Sequence, residues 1–242
     1  MNILVVNDDG YQTEGIKILA NAFKKYGKIY LVAPHHHQSG ASSSITVGRS
    51  LVVHQHEDNI WSVEGTPSDC VKYALFGLEL EIDLVVSGVN NGFNIGMDTV
   101  YSGTVGATME ALFHGYKAIA FSTDANYYDV VTNEIDEVIA FIFNNKLLGN
   151  DYLLNVNFPN KHFTKSTGIE VTDLAIRPFG FKFTHENNEY RVKREFTSYE
   201  YIEKTDIWAY KYGYTSITPL KLGNGDKTVV ELLKQKIKNN SK

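Results

Sequence analysis

The stretch Asn2-Ile3-Leu4-Val5-Val6-Asn7-Asp8-Asp9-Gly10 decides the fold. Ile3 to Val6 is a short, mostly β-branched apolar run, which suits a central strand of a parallel sheet because such a strand is covered on both faces. Asn7 to Gly10 then makes a turn. Ile16, Leu19, Ala20 and Phe23 recur at helical spacing, which predicts a helix over about Thr13–Tyr26. Ile29 to Ala33, closed by Pro34, is a second strand. A strand, helix and strand in this order form a βαβ unit, with a right-handed crossover and helices on both faces of the sheet.

The alternation continues outward. A polar loop covers about His35–Ser44, with strand-like segments near Ser50–His54 and Ile60–Val63. Thr66-Pro67-Ser68-Asp69 reads as a helix start: Thr66 is the N-cap, Pro67 takes the first helical position and Asp69 closes a capping box. Ile82–Ser87 predicts a strand, Gly88–Gly103 a long loop rich in glycine and asparagine, and a helix begins near Thr104. Ala118–Ser122 and Leu153–Asn157 read as strands around a helix near Glu134–Asn144. After about Gly168 the pattern changes. Charged and aromatic residues alternate through Lys182–Tyr201, which reads as an extended hairpin or arm that lies on the surface or packs on a partner chain. Val229–Ile237 closes the chain as a helix. The expected architecture is a single three-layer α/β/α domain with a mostly parallel sheet. Its core is placed at about 1–170, an arm at about 171–225 and a C-terminal helix at about 226–240.

Bulk properties exclude several classes. At 242 residues and 43% hydrophobic, the chain can bury a sizeable core. It has no run of about 18 apolar residues, as a membrane helix needs, and no basic leader before a cleavage site, so a cytoplasmic protein without a membrane partner is expected. The net charge of -5 argues against a nucleic-acid polymer as partner. Cys70 is the single cysteine, which excludes an intrachain disulfide and a cysteine-rich zinc site; its apolar neighbours predict a buried packing role. The lysines between Lys234 and Lys242 read as a solvated, fraying end.

Four segments carry chemistry. Asp8 and Asp9 stand just past the carboxyl end of the first parallel strand, the edge where open α/β sheets bind ligands. Adjacent carboxylates repel, so a cation or a shared proton stabilises them, and hard oxygen donors favour Mg²⁺, Mn²⁺ or Ca²⁺. Read alone, the same four residues also fit a turn with solvated acids. Gln38-Ser39-Gly40-Ala41-Ser42 follows the second strand with small hydroxyls beside glycine; it fits a metal or phosphate contact and equally a polar loop. Asn90 falls at another strand end with a hard, neutral side-chain oxygen, and Gly92 and Gly96 permit close approach of the backbone. Tyr101-Ser102-Gly103-Thr104 opens a helix, whose free N–H groups and dipole attract anions, although Ser102 or Thr104 also serves as an ordinary N-cap. His35-His36-His37 reads as a polar loop, since adjacent side chains in extended chain face opposite ways; one of the three could face the site.

In order along the chain, these segments resemble the SurE (survival protein E) family of 5′/3′-nucleotidases. The matching stretches are Asn7-Asp8-Asp9-Gly10 with Gly15-Ile16, Val32-Ala33-Pro34 leading to Gln38–Ser42, and Gly65-Thr66-Pro67 with Asp69-Cys70-Val71. Ser87-Gly88-Val89-Asn90 follows with Gly92, Asn94 and Gly96, then Tyr101–Val105, and finally Gly213-Tyr214 with Ser216–Leu220. The resemblance implies a Rossmann-like domain and one divalent ion, Mg²⁺ or Mn²⁺, held by Asp8, Asp9, Ser39 and Asn90. It implies phosphate or substrate contacts at Asn7, Gly40, Asn94, Ser102, Gly103 and Thr104, with Asp8 and Asp9 catalytic. It also implies hydrolysis of nucleoside monophosphates, with short polyphosphate as a further substrate, in a homodimer or homotetramer whose late segments pack between subunits. His35-His36-His37 departs from the acid and basic residue that many relatives carry in that loop.

Three other readings compete with that one. An aspartyl-phosphate mechanism wants Asp-x-Asp rather than adjacent acids. A non-catalytic phosphate-binding module gains nothing from two acids unless a metal accompanies them. A dinucleotide dehydrogenase would carry Gly-x-Gly-x-x-Gly after the first strand, where this chain has Asn-Asp-Asp-Gly.

Overall fold

The computed structural model describes residues 1–176, 180–195, 202–221, 223 and 227–240. The chain opens with β1 (Asn2–Val6), α1 (Glu14–Phe23) and β2 (Lys28–Pro34). Ile3, Leu4, Val5 and Val6 are fully buried. Alternation along the strand divides them: Ile3 and Val5 enter the core that includes Ile16, Leu19 and Phe23 of α1, while Leu4 and Val6 enter the core on the opposite face. The run is apolar throughout because each face has its own layer of helices.

Next come β3 (Val53–Glu57), β4 (Ile60–Val63), α2 (Pro67–Lys72), β5 (Leu84–Asn91), α3 (Gly103–Phe113), β6 (Lys117–Thr123), α4 (Asp129–Asn144) and β7 (Leu153–Asn157). The later elements are β8 (Ile169–Val171), a hairpin of β9 (Gly180–Glu186) and β10 (Glu189–Glu195), α5 (Asp206–Tyr212), β11 (Thr215–Leu220) and α6 (Lys227–Asn240). Among the described residues one nine-stranded sheet runs in the order β3-β4-β2-β1-β5-β6-β7-β11-β8. From β4 through β7 every pairing is parallel, and antiparallel partners join at both ends. Helices α1 and α4 cover one face, α2 and α3 the other. This is the three-layer Rossmann-like arrangement that the opening pattern implies. No helix among the described residues is long and apolar enough to cross a membrane.

Local signals explain several boundaries. The capping box at α2 forms as read: the Thr66 hydroxyl accepts from Asp69 N at 3.1 Å, and the Asp69 carboxylate accepts from Thr66 N at 3.0 Å. Cys70 is buried in the α2–α3 core. Other elements differ from the sequence reading. The first edge strand runs over Val53–Glu57 rather than Ser50–His54, and α4 begins at Asp129, ahead of Glu134. The segment read as loop from Gly88 begins as strand: β5 continues to Asn91 after a register shift between Ser87 and Asn90. Gly88 makes this possible, with φ +129° and an added Cβ only 2.3 Å from the Phe121 carbonyl oxygen.

The largest difference lies beyond residue 170. β11 enters the main sheet between β7 and β8, so the sheet takes a strand from the stretch read as arm. Its inward residues include Thr215, Ser216 and Thr218, whose hydroxyls hide the core signal; Thr218 shares a hydrogen bond with Thr172 at 2.8 Å. The hairpin expected over Lys182–Tyr201 is present as β9 and β10, a separate two-stranded sheet. The rest of that stretch, 196–201, lies outside the described residues, as do 177–179, 222, 224–226 and the last two residues, Ser241 and Lys242.

Close approach of α1 to β5 depends on Gly15. A Cβ there would lie 2.0 Å from the Val89 carbonyl oxygen, which is backbone and has no room to move. We expect Gly15→Ala to cost at least about 1–3 kcal/mol, read as a lower urea midpoint with an unchanged slope; an unshifted midpoint would show that α1 docks less tightly than described.

Candidate active site

The turn after β1 is built by its own side chains. Asn7 Oδ1 accepts from Gly10 N at 3.1 Å, and Asn7 Nδ2 donates to Gly10 O and Thr13 Oγ1. Gly10 has φ +115°, a conformation that favours glycine. Asn7 is thereby committed to shaping the loop, and the two aspartates are left to bond with other segments.

Asp8 is 3% exposed. Its Oδ1 accepts from the Thr104 hydroxyl at 2.5 Å, and the Thr104 backbone N–H also bonds its carboxylate, so Asp8 sits against the N-terminus of α3. Gly103 permits this contact, since a Cβ at that position would lie 2.8 Å from Asp8 Cβ. Burial raises the Asp8 pKa from 3.8 to about 6; the Thr104 hydroxyl pulls it down and the neighbouring Asp9 charge pushes it up. Asp9 is more open. Its Oδ2 accepts from Asn91 N at 3.0 Å, and its Oδ1 lies 3.2 Å from His37 Nε2. The Tyr128 phenol is pushed up to about 12 by burial and by the charges of Asp9 and Glu14, and therefore stays protonated at neutral pH.

The other loops dock on this turn. Gln38 N donates to Asp8 O at 2.7 Å, which brings the segment containing Ser39 and Gly40 beside the aspartates. That segment is held at its far end by Asp69, which accepts from Thr46 N and Thr46 Oγ1 at 2.8 and 2.7 Å. Ser42 joins it to the fourth segment: Ser42 N donates to Tyr101 O and Ser42 Oγ to Val100 O. Ser102 is the N-cap of α3, accepting from Val105 N at 3.1 Å. Ser39 and Gly40 are exposed. Asn90 Nδ2 donates to Gly92 O at 2.8 Å, which fixes the plane of its amide and turns Oδ1 to the other side.

Asn94 sits deeper, 5% exposed. Its Nδ2 donates to Ser122 Oγ at 2.8 Å, and its peptide group is bound by Asn155 and Asn157 of β7. At the end of the same segment, Gly96 N donates to Asp206 Oδ2 at 2.6 Å, while Asp206 Oδ1 accepts from Ala175 N at 3.0 Å. Burial raises the Asp206 pKa against the opposing effect of these amide hydrogen bonds.

The structure thus brings Asp8 against Gly103 and Thr104 with Asp9 beside it on the same turn, and places Ser39, Gly40, Asn90 and Ser102 on segments hydrogen-bonded to that turn. Asn7 is held within its own loop, and the Asn94 side chain turns toward β6. Of the three consecutive histidines, His37 faces Asp9, whereas His35 Nδ1 bonds Ser62 Oγ at 2.9 Å. Sequence reasoning passed over Ser122, Asn155, Asn157 and Asp206. One signal was available: two asparagines alternate in the buried strand Leu153–Asn157, where asparagine is ordinarily scarce.

A divalent ion suits the donors present. Asp8, Asp9, Asn90 and Ser39 offer oxygen donors, and two of them are carboxylates; among the described residues no group of three or more histidine, cysteine, aspartate or glutamate side chains forms a metal cluster. Two adjacent carboxylates, one of them deeply buried and raised in pKa, are what a bound cation would relieve.

The fold and this arrangement define an α/β protein with an acidic edge set against a helix N-terminus. Comparison with known proteins gives it a family: the profile described as "Survival protein SurE" matches residues 3–180. A protein named 5′-nucleotidase SurE from Legionella pneumophila (strain Paris) is 40% identical over 231 residues, covering 92% of this chain and 91% of its own. The protein of the same name from Haemophilus influenzae (strain Rd) is 37% identical, covering 91% of each chain. The crystal structure of SurE protein from Aquifex aeolicus superposes with a TM-score of 0.83 at 34% identity, over 97% of this chain and 99% of that one. The chain belongs to the SurE family.

The buried Asp8 carboxyl yields a pH prediction for the chelated protein. Its folded pKa, about 6, lies above its ordinary 3.8, so the folded state holds the proton more tightly. The destabilisation is therefore full above about pH 6 and disappears as pH falls below about 4. We expect Asp8→Asn, in chelator, to raise stability at pH 7.5 by roughly 1–3 kcal/mol, with the gain fading by pH 4. A gain independent of pH would mean that the charge of Asp8 is not what destabilises the folded state.

Proposed function

We propose that this chain is a divalent-metal-dependent nucleotidase that hydrolyses nucleoside 5′- and 3′-monophosphates to nucleoside and phosphate, with short polyphosphate as a further substrate. The observation that carries this reading is the Asp8–Asp9 pair at the carboxyl end of the central strand, pressed against the N-terminus of α3. The names of the Legionella and Haemophilus relatives support the nucleotidase class.

In this reading Asp8, Asp9, Ser39 and Asn90 hold Mg²⁺ or Mn²⁺. When bound, the ion supplies Lewis-acid chemistry, offsetting phosphate charge and making water a stronger nucleophile. Thr104 keeps Asp8 in one rotamer through its hydroxyl and amide. Asn91 N fixes Asp9 in the same way. One of the two carboxylates orients and deprotonates the attacking water. Gly40, Asn94, Ser102, Gly103 and Thr104, with the positive end of the α3 dipole, receive the phosphoryl group and the charge it gains in the transition state. An aspartyl-phosphate route is disfavoured, because Asp8 is buried and already engaged by Thr104.

The test is phosphate release from a panel of 5′- and 3′-monophosphates in chelator, then with Mg²⁺ or Mn²⁺ restored. We expect release to stop and return, and Asp8→Asn and Asp9→Asn to lose about 100-fold or more in kcat while remaining folded. Full activity in both variants, or in chelator, would remove the metal scheme.

We further propose that the chain works as a homodimer or homotetramer through its arm. A two-stranded hairpin is marginal by itself, yet β9 and β10 put Phe183 and Val192 opposite each other on one face, 63% and 53% exposed. That apolar face needs a cover, and a second copy of the chain provides it. Phe183→Lys combined with Val192→Lys should reduce the mass measured by light scattering to that of a smaller species; an unchanged mass would place the interface elsewhere.

A further inference from the structure

The site described above contains one arrangement that the proposed chemistry does not yet use. Asn157, at the end of β7, makes two hydrogen bonds to a single residue: its Oδ1 accepts from Asn94 N at 2.9 Å and its Nδ2 donates to Asn94 O at 3.1 Å. Asn155 Nδ2 donates to the same carbonyl at 2.7 Å. A primary amide carries donor and acceptor in one plane, so the Asn157 side chain does for Asn94 what a neighbouring strand does for a residue in a ladder. All three asparagines are buried, which leaves no water to replace these bonds.

The clamp acts on the middle of a segment that Asn90 and Asp206 hold at its ends. Gly92 and Gly96 bracket Asn94, with φ +147° and +55°. Glycines on both sides raise the cost of ordering a loop, and the clamp on Asn94 fixes the stretch between the bonds that Asn90 makes to Gly92 and Asp206 to Gly96. The Asn94 side chain is then held by Ser122 through one Nδ2 hydrogen, which leaves its second N–H and its Oδ1 for another partner.

We infer that Asn157 is a positioning residue for substrate: it fixes the Asn94 peptide so that the Asn94 amide meets the phosphoryl group without first being ordered. This rests on the proposal that Asn94 contacts phosphate. Asn157 touches neither substrate nor metal, and acts only through Asn94.

A double-mutant cycle over Asn94→Ala and Asn157→Ala, read as kcat and KM for a nucleoside monophosphate with Mn²⁺, tests it. We expect Asn157→Ala to raise KM about tenfold with kcat within about threefold, and the double variant to be no worse than Asn94→Ala alone. The thermal shift produced by Mn²⁺ should be the same in all four proteins. Should Asn157→Ala fail to fold, Asn157→Asp takes its place: it keeps the acceptor for Asn94 N and sets a repelling oxygen against Asn94 O. An unchanged KM, or losses that multiply in the double variant, would overturn the inference while leaving the nucleotidase reading intact. A wild-type chain that releases no phosphate with any metal would overturn both.

Discussion

A carboxylate inside a protein has no water to hold its charge, so the chain around it must answer that charge. Asp8 meets this constraint at the end of β1, and Thr104 answers it with a hydroxyl and a backbone amide. The consequence spreads through the molecule. For Thr104 to reach Asp8, the N-terminus of α3 must press against the first turn, which only glycine at position 103 allows. For the turn to hold still, Asn7 must bind Gly10 from within. The second loop then docks on the Asp8 carbonyl and the end of β5 on the Asp9 carboxylate. The convergence of four loops follows from one buried acid held against one helix end.

This dependence also explains how local stability and local function oppose each other here. A metal-free Asp8 is an uncomfortable group, raised in pKa and crowded by Asp9. The same strain gives the turn its affinity for a cation in the proposed chemistry. Sites of this sort hold groups apart from their preferred state, and the surrounding core compensates. Here the compensation is visible in β1 itself, whose apolar residues fill two cores at once.

Much of this was legible in the sequence because it is written in short-range patterns. The apolar run Ile3–Val6, the helical spacing from Ile16 to Phe23 and the capping box at Thr66 each depend on neighbours a few residues apart, and each appears in the structure. The first turn and the α3 N-terminus were legible as separate chemical segments for the same reason. What escaped was long-range or masked by polarity. β11 reads as Thr-Ser-Ile-Thr-Pro-Leu, and its buried hydroxyls conceal a strand that completes the sheet. β5 passes through Gly88 and Asn90, residues that ordinarily end a strand, because the partner strand β6 resumes pairing beyond the irregularity. The clamp on Asn94 joins residues 63 apart, and Asp206 reaches Gly96 across 110. No spacing rule registers bonds of that reach; only the fold brings them together.

Asp206 has a consequence of another kind. One carboxylate binds Gly96 of the site, Ala175 ahead of the β9–β10 hairpin and the start of α5 beyond it. The backbone reinforces the closure, with Asp206 N bound to Asp173 O and Asp173 N to Lys204 O. The two ends of the arm are thus stitched together at its root, and the stitch belongs to the body of the protein. Between those points the β9–β10 hairpin forms a sheet of its own, apart from the main one. Such a root lets the hairpin vary without shifting the edge that carries Asp8 and Asp9. The arm is free to diversify because it is fastened where it begins and where it returns.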